Sequence, residues 1–535
     1  DCAVFILYFI IVSAYGYYVY RSKKKKKTDT KDYFLAEGSL TWWAIGASII
    51  ASNISAEHFI GMSGSGFAMG LAIASYEWMA AATLIIVAVF FLPIYLKNKI
   101  YTMPQFLSNR YNNTVSTLMA VFWLLVYVFV NLTSIFFLGA IAIETITGIP
   151  FNVCIIFLAV FSAIITLGGM KVIGYTDVIQ VFVLVIGGLI TCYMALQLVS
   201  QKLNVDGVLG ALPLLKSEAS DHFHMIFSKG DKFYNELPGV AVLVGGLWIN
   251  NLNYWGCNQY IVQRALGADL KTGRSGLIFA AFLKLLIPLI VVIPGIAAFV
   301  LYQRGYFHTE MLDAAGTLKP DHAYPVLMNL LPVGIKGLAF AALTAAIVAS
   351  LAGKSNSIAT IFTLDIYKKY IKPSATETRM VAVGRWSVVV ASLIAIVVAP
   401  ALRSFDQVYQ FIQEYVGFIS PGVFAIFLLG FFWKKTTSRA ALCAALLTIP
   451  LSIVFKFLPS ISQGLIGDIP FLHRMSWVFV TIIIVMVCIT LTDPKSKNNP
   501  QGLEIDKSMF AVTPGFMVAS VIILGIMAAL YSVFW

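Results

Sequence analysis

The chain has few charged side chains for its length. Of its 535 residues, 12% are Asp, Glu, Lys or Arg, against about 25% in an average soluble protein. Hydrophobic residues make up 59% and aromatic residues 14%, and the mean hydropathy is +0.85. Apolar surface must therefore face lipid as well as a core. This composition excludes soluble globular, disordered, collagenous and disulfide-rich chains, and it predicts an all-α polytopic membrane protein.

Catalytic and metal-binding motifs are also lacking. The six cysteines stand singly inside apolar stretches, without the spacing of a metal site, and no HExxH or GxSxG sequence occurs. Gly353-Lys354-Ser355 resembles the end of a phosphate-binding loop, but Val348 stands where that motif requires a glycine and no strand precedes it. We therefore expect a protein that is not an enzyme and has no organic cofactor.

Apolar runs of about 20 residues, long enough to cross a bilayer, recur along the whole chain. Three of them, at 40–67, 117–146 and 404–433, are too long for a hydrocarbon core of about 30 Å and must tilt, bend or break. The first run is expected to be a retained span because its basic cluster follows it. The sequence predicts about fourteen spans, near residues 1–20, 40–67, 71–96, 117–146, 150–168, 175–199, 238–262, 276–302, 333–370, 380–401, 404–433, 438–457, 474–492 and 512–534.

The net charge of +12 comes from basic residues that lie mostly in alternate loops. Lys23 to Lys27 follow the first span directly, and later loops with excess Lys and Arg also follow odd-numbered spans. The positive-inside rule places these loops in the cytoplasm, so both termini are expected outside. This placement indicates a lipid bilayer as partner and not nucleic acid.

Two spans contain polar clusters where a continuous apolar helix would be expected. They lie at 51–58 in the second span and 248–255 in the seventh. The two spans are five apart in order, and this odd separation gives them opposite orientations. That arrangement is typical of two five-helix units of inverted topology, each with a broken first helix whose unpaired carbonyls bind an ion. The alternative is that these Asn and Ser side chains only join helices by hydrogen bonds.

Ionisable residues inside spans are costly, at least about 2.5–3.5 kcal/mol each at the bilayer centre. Glu77 and Lys284 lie deep in their spans, and they either line a polar cavity or form a buried structural ion pair. His58 adjoins the first polar cluster, and Gln413 lies within the eleventh span. Aromatic residues near these groups can stack on a sugar ring, although packing is the more common use of such side chains.

Several motifs together resemble the solute:sodium symporter family, above all its sodium/glucose and sodium/galactose branch. They are Asn53-Ile54-Ser55-Ala56-Glu57-His58-Phe59-Ile60-Gly61, Tyr76-Glu77-Trp78, Tyr175-Thr176-Asp177, Tyr254-Trp255, Asn258-Gln259-Tyr260, Phe282-Leu283-Lys284 and Phe411-Ile412-Gln413-Glu414-Tyr415. The resemblance implies the leucine-transporter-like fold with five-plus-five inverted repeats at 40–200 and 238–433. An extra helix and basic loop at 1–39 would precede them, and peripheral helices at 438–535 would follow.

The resemblance also implies functional residues. The sugar would be bound by Asn53, His58, Glu77, Asn251, Lys284 and Gln413, and gated by Met62, Tyr76, Tyr254, Trp255 and Tyr409. Sodium, the coupling ion, would be held by the carbonyls of Ala51, Ile54 and Ala346 and the hydroxyl of Ser350. Asp177 would assist its release inward.

Three positions depart from the family pattern. Ala349 replaces a serine and removes one of the oxygen ligands that a hard cation prefers, and Ala80 replaces a polar residue near the sugar. His58 is glutamine in the bacterial galactose carrier and histidine in animal glucose cotransporters, so the choice between the two sugars stays open.

The expected function is sodium-coupled import of a neutral monosaccharide, glucose or galactose, across the cell membrane by alternating access. The alternatives are a symporter of another small solute, such as an amino acid, sialic acid, inositol or choline, and a transporter-like solute sensor. The sequence does not fix the oligomeric state.

Overall fold

A computed structural model describes residues 2–22, 40–166, 170–312, 316–404, 408–463, 465–497, 501–503 and 505–535. In these ranges the chain is helical, and the only β pairing is one isolated bridge between Leu312 and Leu318. The all-α prediction is therefore confirmed. The lysine run 23–27, which helped to set the expected topology, lies outside the described residues.

Ten α-helices lie in the described residues of the first half of the chain. π-Helical segments at Glu57–Met62, Val87–Phe91 and Val126–Leu132 connect several of them into longer rods. The helices are α1 Cys2–Ser22, α2 Trp42–Asn53, α3 Ser63–Met69, α4 Ser75–Ile86, α5 Leu92–Lys97, α6 Met103–Arg110, α7 Asn113–Leu125, α8 Thr133–Thr147, α9 Phe151–Thr166 and α10 Met170–Leu203.

The part of the second half that the structure describes contains thirteen more, with a further π-helical segment at Phe362–Ile371. They are α11 Gly207–Glu218, α12 Ala241–Val244, α13 Gly246–Gly256, α14 Gln259–Leu266, α15 Leu270–Gln303, α16 Ala323–Asn329, α17 Ile335–Ile361, α18 Glu377–Val398, α19 Val408–Val416, α20 Ser420–Phe432, α21 Ser438–Ile461, α22 Phe471–Thr492 and α23 Pro514–Val533.

The described residues include nine helical stretches long and apolar enough to cross a membrane, and the pair α19 and α20, bent by 44°, makes a tenth. The other predicted spans correspond to α1, to the 16-residue α9 and to two broken helices. The membrane-spanning character is thus shown, whereas the count of fourteen stays a prediction.

The helices form a buried centre and a lipid-facing periphery. α15 packs against α2, α3, α4 and α10, and α17 packs against α10 and α2. In the most apolar segment of 18 residues within Ile335–Ile371, which includes α17, 83% of the residues are buried. In the corresponding segment of α23 only 17% are buried. Since the outer helices expose apolar side chains that only lipid can cover, the polar groups of α2, α4 and α17 must find partners inside the bundle.

The first predicted break lies where the polar cluster placed it. α2 ends at Asn53, Ile54 is extended at φ −74° and ψ 125°, and a π-helical turn begins at Glu57. The Ser55 hydroxyl accepts a hydrogen bond from the Glu57 amide at 3.2 Å, and His58 Nδ1 accepts one from the Ser55 amide at 3.4 Å. This reciprocal pattern resembles a capping box, and it explains why the helix restarts there.

The second break lies later than predicted. The cluster at 248–255 is helical, because α13 runs to Gly256 and the chain becomes extended only at Asn258, with φ −106° and ψ 125°. Side chains in the cluster bond along the helix, as in the 3.1 Å contact from Asn251 Nδ2 to the Leu247 carbonyl. The prediction of a break inside 248–255 was therefore wrong by a few residues.

Tyrosine hydroxyls satisfy the backbone groups that the second break releases. Tyr95 donates to the Gly256 carbonyl at 2.7 Å, and Tyr127 accepts from the Gln259 amide at 3.1 Å while bonding to the Asn258 side chain. A buried unpaired backbone group costs about 1–3 kcal/mol. These two side chains therefore stabilise a break that lipid alone would not tolerate.

Candidate functional site

One polar cavity lies between the two helix breaks. The empty space around it, including the part continuous with solvent, is about 710 Å³. Its walls come from the first break, α4, the π-helical segment Val126–Leu132, α13 with the second break, and α19. The lining residues are Asn53, Glu57, His58, Tyr76, Glu77, Ala80, Val126, Asn131, Asn250, Asn251, Tyr254, Trp255, Asn258, Tyr260, Tyr409, Ile412, Gln413 and Val416.

The first turn of α4 places Glu77 at the centre of a buried charged cluster. Lys284 Nζ, on α15, lies 2.5 Å from Glu77 Oε2 and also donates to the Asn53 side chain. Lys284 is fully buried and Glu77 is 3% exposed. Because Glu77 lines the cavity while Lys284 lies behind it, the lysine orients the carboxylate and the amide that face the cavity.

His58 extends the same cluster on the other side of Glu77. Its Nε2 lies 3.4 Å from Glu77 Oε1, while its Nδ1 accepts from the Ser55 amide. With Nδ1 facing a backbone donor, Nε2 is the ring nitrogen that faces the carboxylate. Each oxygen of the Glu77 carboxylate therefore faces a nitrogen, from Lys284 or from His58. A solute hydroxyl could donate to the carboxylate in addition to these groups or in place of one of them.

α13 provides the opposite wall with a row of side chains four residues apart. Trp255 Nε1 donates to Asn251 Oδ1 at 3.2 Å, and the Tyr254 hydroxyl accepts from Asn53 Nδ2 at 2.8 Å. Lys284 Nζ lies 5.0 Å from the centroid of a Trp255 ring, a cation–π distance. Aromatic faces next to amide groups suit a solute with both apolar faces and hydroxyls.

Two tyrosines and a glutamine cover the end of the cavity formed by α4 and α19. The rings of Tyr76 and Tyr409 meet edge to face at 5.8 Å, and Tyr409 also meets His58 at 6.3 Å. Gln413 Nε2 lies 3.4 Å from the Tyr409 hydroxyl. Residues 409, 412, 413 and 416 recur at helical spacing, so one face of α19 points into the cavity.

Nearly all residues predicted to bind or gate the solute come together here. The exceptions are Lys284, which lies behind the wall, and Met62, which is fully buried and outside the lining. Sequence reasoning missed five polar lining residues: Glu57, Asn131, Asn250, Asn258 and Tyr260. The two polar clusters and the quoted motifs contain four of them, all but Asn131, and this position in the sequence was the available signal.

The residues predicted to hold sodium lie at the end of α2 and on the facing side of α17. Ala51, Ile54, Ala346 and Ser350 are all fully buried. The Ser350 hydroxyl donates to the Ser52 carbonyl at 3.0 Å, so α17 reaches the end of α2 where carbonyls lose their helical partners. Oxygen donors of this kind fit a hard cation, and Ala349 adds none.

Asp177 lies in a separate buried cluster beside the middle of α2. Its Oδ2 accepts from the Ser48 hydroxyl at 2.5 Å and lies 3.8 Å from an Arg264 terminal nitrogen. Arg264 Nε in turn donates to the Ser48 hydroxyl at 2.8 Å. Asp177 therefore does not face the cavity, but it contacts the helix that carries Ala51.

Comparison with known proteins matches this chain to one family and its members. Residues 33–448 match the model of the sodium:solute symporter family. The chain is 47% identical over 542 aligned positions to the sodium/glucose cotransporter of Vibrio parahaemolyticus, covering 100% of this chain and 98% of that protein. It is 33% identical to the sodium/myo-inositol cotransporter 2 of Mus musculus, over 93% of this chain and 77% of that protein.

Solved structures share the fold. The substrate-bound, outward-open state of a Na+-coupled sialic acid symporter superposes with a TM-score of 0.77 at 24% identity, covering 92% of this chain and 97% of that one. A closed nucleobase-cation-symport-1 family transporter gives 0.53 at 14% identity, over 88% and 97%. These neighbours confirm the transporter fold with broken helices that the sequence resemblance implied.

Proposed function

Because the chain belongs to the sodium:solute symporter family, we propose that it is a sodium-coupled symporter that imports a neutral monosaccharide, glucose or galactose. It would act in the cell membrane by alternating access, as a transporter and not an enzyme, with both termini outside. Transport would begin with sodium at the end of α2, which stabilises the outward-open form. Sugar binding then closes the outer gate.

The balance of charges around the cavity is the observation that carries this proposal. Both acids that line the cavity are paired with a buried base, Glu77 with Lys284 and Glu57 with Lys354, and Asp177 in the separate cluster is paired with Arg264. The charges of these pairs cancel. A carboxylated or cationic solute would bring an uncompensated charge into a buried site, whereas a neutral solute would not.

The chemistry of the cavity wall supports a polyhydroxylated solute. Glu77 offers acceptor oxygens, Asn53, Asn251 and Gln413 offer both donors and acceptors, and the aromatic rings cover apolar ring faces. A hexose presents both kinds of surface. The 47% identity to a protein named a sodium/glucose cotransporter points the same way.

One sodium ion per sugar provides enough driving force. A single charge moving inward gains about 2.3 kcal/mol per 100 mV of membrane potential. Tenfold accumulation of a neutral solute costs about 1.4 kcal/mol. Sodium would bind to the carbonyls of Ala51, Ile54 and Ala346 and to the Ser350 hydroxyl, and Asp177 would assist its release.

myo-Inositol is the second candidate solute. It is a neutral ring of hydroxyl groups, so the charge argument admits it equally, and a relative 33% identical to this chain is named for it. Its lack of a ring oxygen distinguishes it from the hexoses.

The test is uptake into proteoliposomes of the purified chain under an inward sodium gradient, with potassium as the control cation. Labelled glucose, galactose, myo-inositol and sialic acid are compared at equal concentration. We expect sodium-dependent accumulation of a hexose. Preference for myo-inositol would change the transported solute but keep the mechanism. Accumulation of sialic acid would contradict the charge argument. Equal uptake with sodium and with potassium would contradict sodium coupling.

A further inference from the structure

Lys354 forms a second buried ion pair beside the first helix break. Its Nζ lies 3.4 Å from Glu57 Oε2, and the two residues are 1% and 7% exposed. Lys354 does not line the cavity, and the sugar site described above makes no use of it. A lysine on a central helix at this depth requires an explanation, because an unpaired charge there is strongly unfavourable.

Several contacts hold this pair in place. Glu57 Oε1 accepts from the Ser134 hydroxyl at 2.5 Å, and Glu57 Oε2 accepts from the Ser55 hydroxyl at 3.1 Å. Lys354 Nζ lies 5.4 Å from the centroid of the Tyr260 ring, a cation–π distance. The ammonium group is therefore positioned by a carboxylate on one side and an aromatic face on another.

The pair adjoins both halves of the proposed sodium site. Lys354 is one helical turn beyond Ser350, and side chains on a helix lean toward its N-terminus, so the lysine stem extends along the turn that carries Ser350. Glu57 follows Ile54 by three residues, immediately after the break. A fixed positive charge and its counter-ion thus lie within about one turn of the sodium ligands on each of two helices.

We propose that Lys354 is a resident cation that sets the affinity of the adjacent site for sodium. Its positive charge opposes a second cation nearby, and it neutralises Glu57, which would otherwise attract one. Ala349, which supplies no oxygen ligand, acts in the same direction. The result is a low-affinity site for one sodium ion. This inference rests on the proposed position of the sodium site.

Four variants test the inference by direct binding of radioactive sodium to purified protein without sugar. Lys354→Met removes the opposing charge and leaves Glu57 unpaired, so we expect the sodium Kd to fall by at least about tenfold. Glu57→Gln leaves Lys354 unpaired, and the Kd should rise by at least about tenfold. The double variant removes both charges and should return to within about threefold of wild type.

Lys336→Met is the matched control, because it removes the same type of charge from the first turn of the same helix, α17, away from the break. We expect no change in its sodium Kd. Size-exclusion profile and thermal stability identify variants that fold. If Lys354→Met fails to fold, Glu57→Gln and the double variant still decide, since the Kd of Glu57→Gln must exceed that of the double variant by at least about threefold.

Folded single variants that keep the wild-type Kd within about twofold would overturn the inference. Sodium binding by the wild-type protein in the same assay would show that the proposed sodium coupling still holds when the inference about Lys354 fails. Binding by Lys354→Met but not by wild type would support the inference while contradicting sodium coupling in the native chain. No binding by any folded variant would contradict the sodium site itself, and the inference with it.

Discussion

At the scale of single residues, the pair of Glu77 and Lys284 combines structural and binding roles. Lys284→Met leaves Glu77 buried without its cation, and breaking a buried pair in this way costs about 3–5 kcal/mol. We expect a clear loss of thermal stability and a loss of sugar uptake. The double variant Glu77→Gln with Lys284→Met removes both charges, so most of the stability should return.

Uptake by that double variant separates the two interpretations left open by the sequence. If the pair were only structural, restoring stability would restore uptake as well. We expect uptake to stay at least about tenfold below wild type, because Glu77 faces the cavity and a hydrogen bond to a charged group contributes about 1.5–3 kcal/mol. Recovered uptake in a stable double variant would remove Glu77 from the sugar site.

The two ring nitrogens of His58 make separable contacts. An asparagine at this position can reach the Ser55 amide as the histidine Nδ1 does, while a glutamine is long enough to reach toward Glu77. We expect His58→Gln to keep sodium-dependent uptake within about tenfold of wild type and His58→Asn to lose more, since only the first preserves a donor to the carboxylate. Values of kcat/KM measured in proteoliposomes check which variant loses more. A greater loss in His58→Gln would show that the contact with the Ser55 amide matters more than the contact with Glu77.

Most residues of the cavity were predictable from the sequence, since polar groups inside apolar spans are rare and lie in recognisable motifs. The pairing of Lys354 with Glu57 was not, because 297 positions separate them along the chain and only the packing of α17 against the first break brings them together. The sequence showed Lys354 only as the end of an apparent phosphate-binding motif.

At the scale of helices, the two breaks have different causes. The first follows from the capping pattern around Ser55. Sequence reasoning placed this break correctly, within the polar cluster at 51–58. The second depends on packing, because α13 stays helical through its asparagines and ends at Gly256, where a Cβ atom would lie 2.4 Å from the Phe91 ring. Composition alone marks the polar cluster, but the position of the break requires knowledge of the neighbouring helix.

This contact predicts a size limit at Gly256. In Gly256→Ala the added methyl group would push α13 away from the segment Val87–Phe91, and overpacking of this kind costs about 1–3 kcal/mol. We expect lower thermal stability and reduced uptake, because the break would shift relative to Tyr254 and Trp255. Thermal unfolding followed by fluorescence and initial uptake rates are the measurements.

A second-site change and a matched control make this result specific. Phe91→Leu removes the ring that the methyl group would meet, so adding it to Gly256→Ala should recover part of the loss. Gly525→Ala in α23 has nothing within 4 Å of the new methyl group and should leave both measurements unchanged. Equal losses at the two glycines would show that the effect does not depend on the contact with Phe91.

At the scale of the whole molecule, hydropathy and resemblance predicted the helical membrane fold, and the family match and structural neighbours confirm it. The repeat boundaries at 40–200 and 238–433 stay predictions. Of the three buried pairs whose charges cancel, the sequence suggested only Glu77 with Lys284, as one of two alternatives. The other two could not be predicted, since each joins segments far apart along the chain. That balance matters for transport, because it leaves the incoming sodium as the unbalanced charge of the loaded site.

Transport should therefore be electrogenic, with one positive charge moved for each sugar. In proteoliposomes with equal sodium on both sides, a potassium diffusion potential supplies the driving force by itself. The accumulation limit should rise tenfold for every 60 mV or so, from about 2.3 kcal/mol per charge per 100 mV and about 1.4 kcal/mol per tenfold. A dependence about twice as steep would require two sodium ions. Choline in place of sodium should abolish the response, and uptake indifferent to the potential would contradict coupled charge movement.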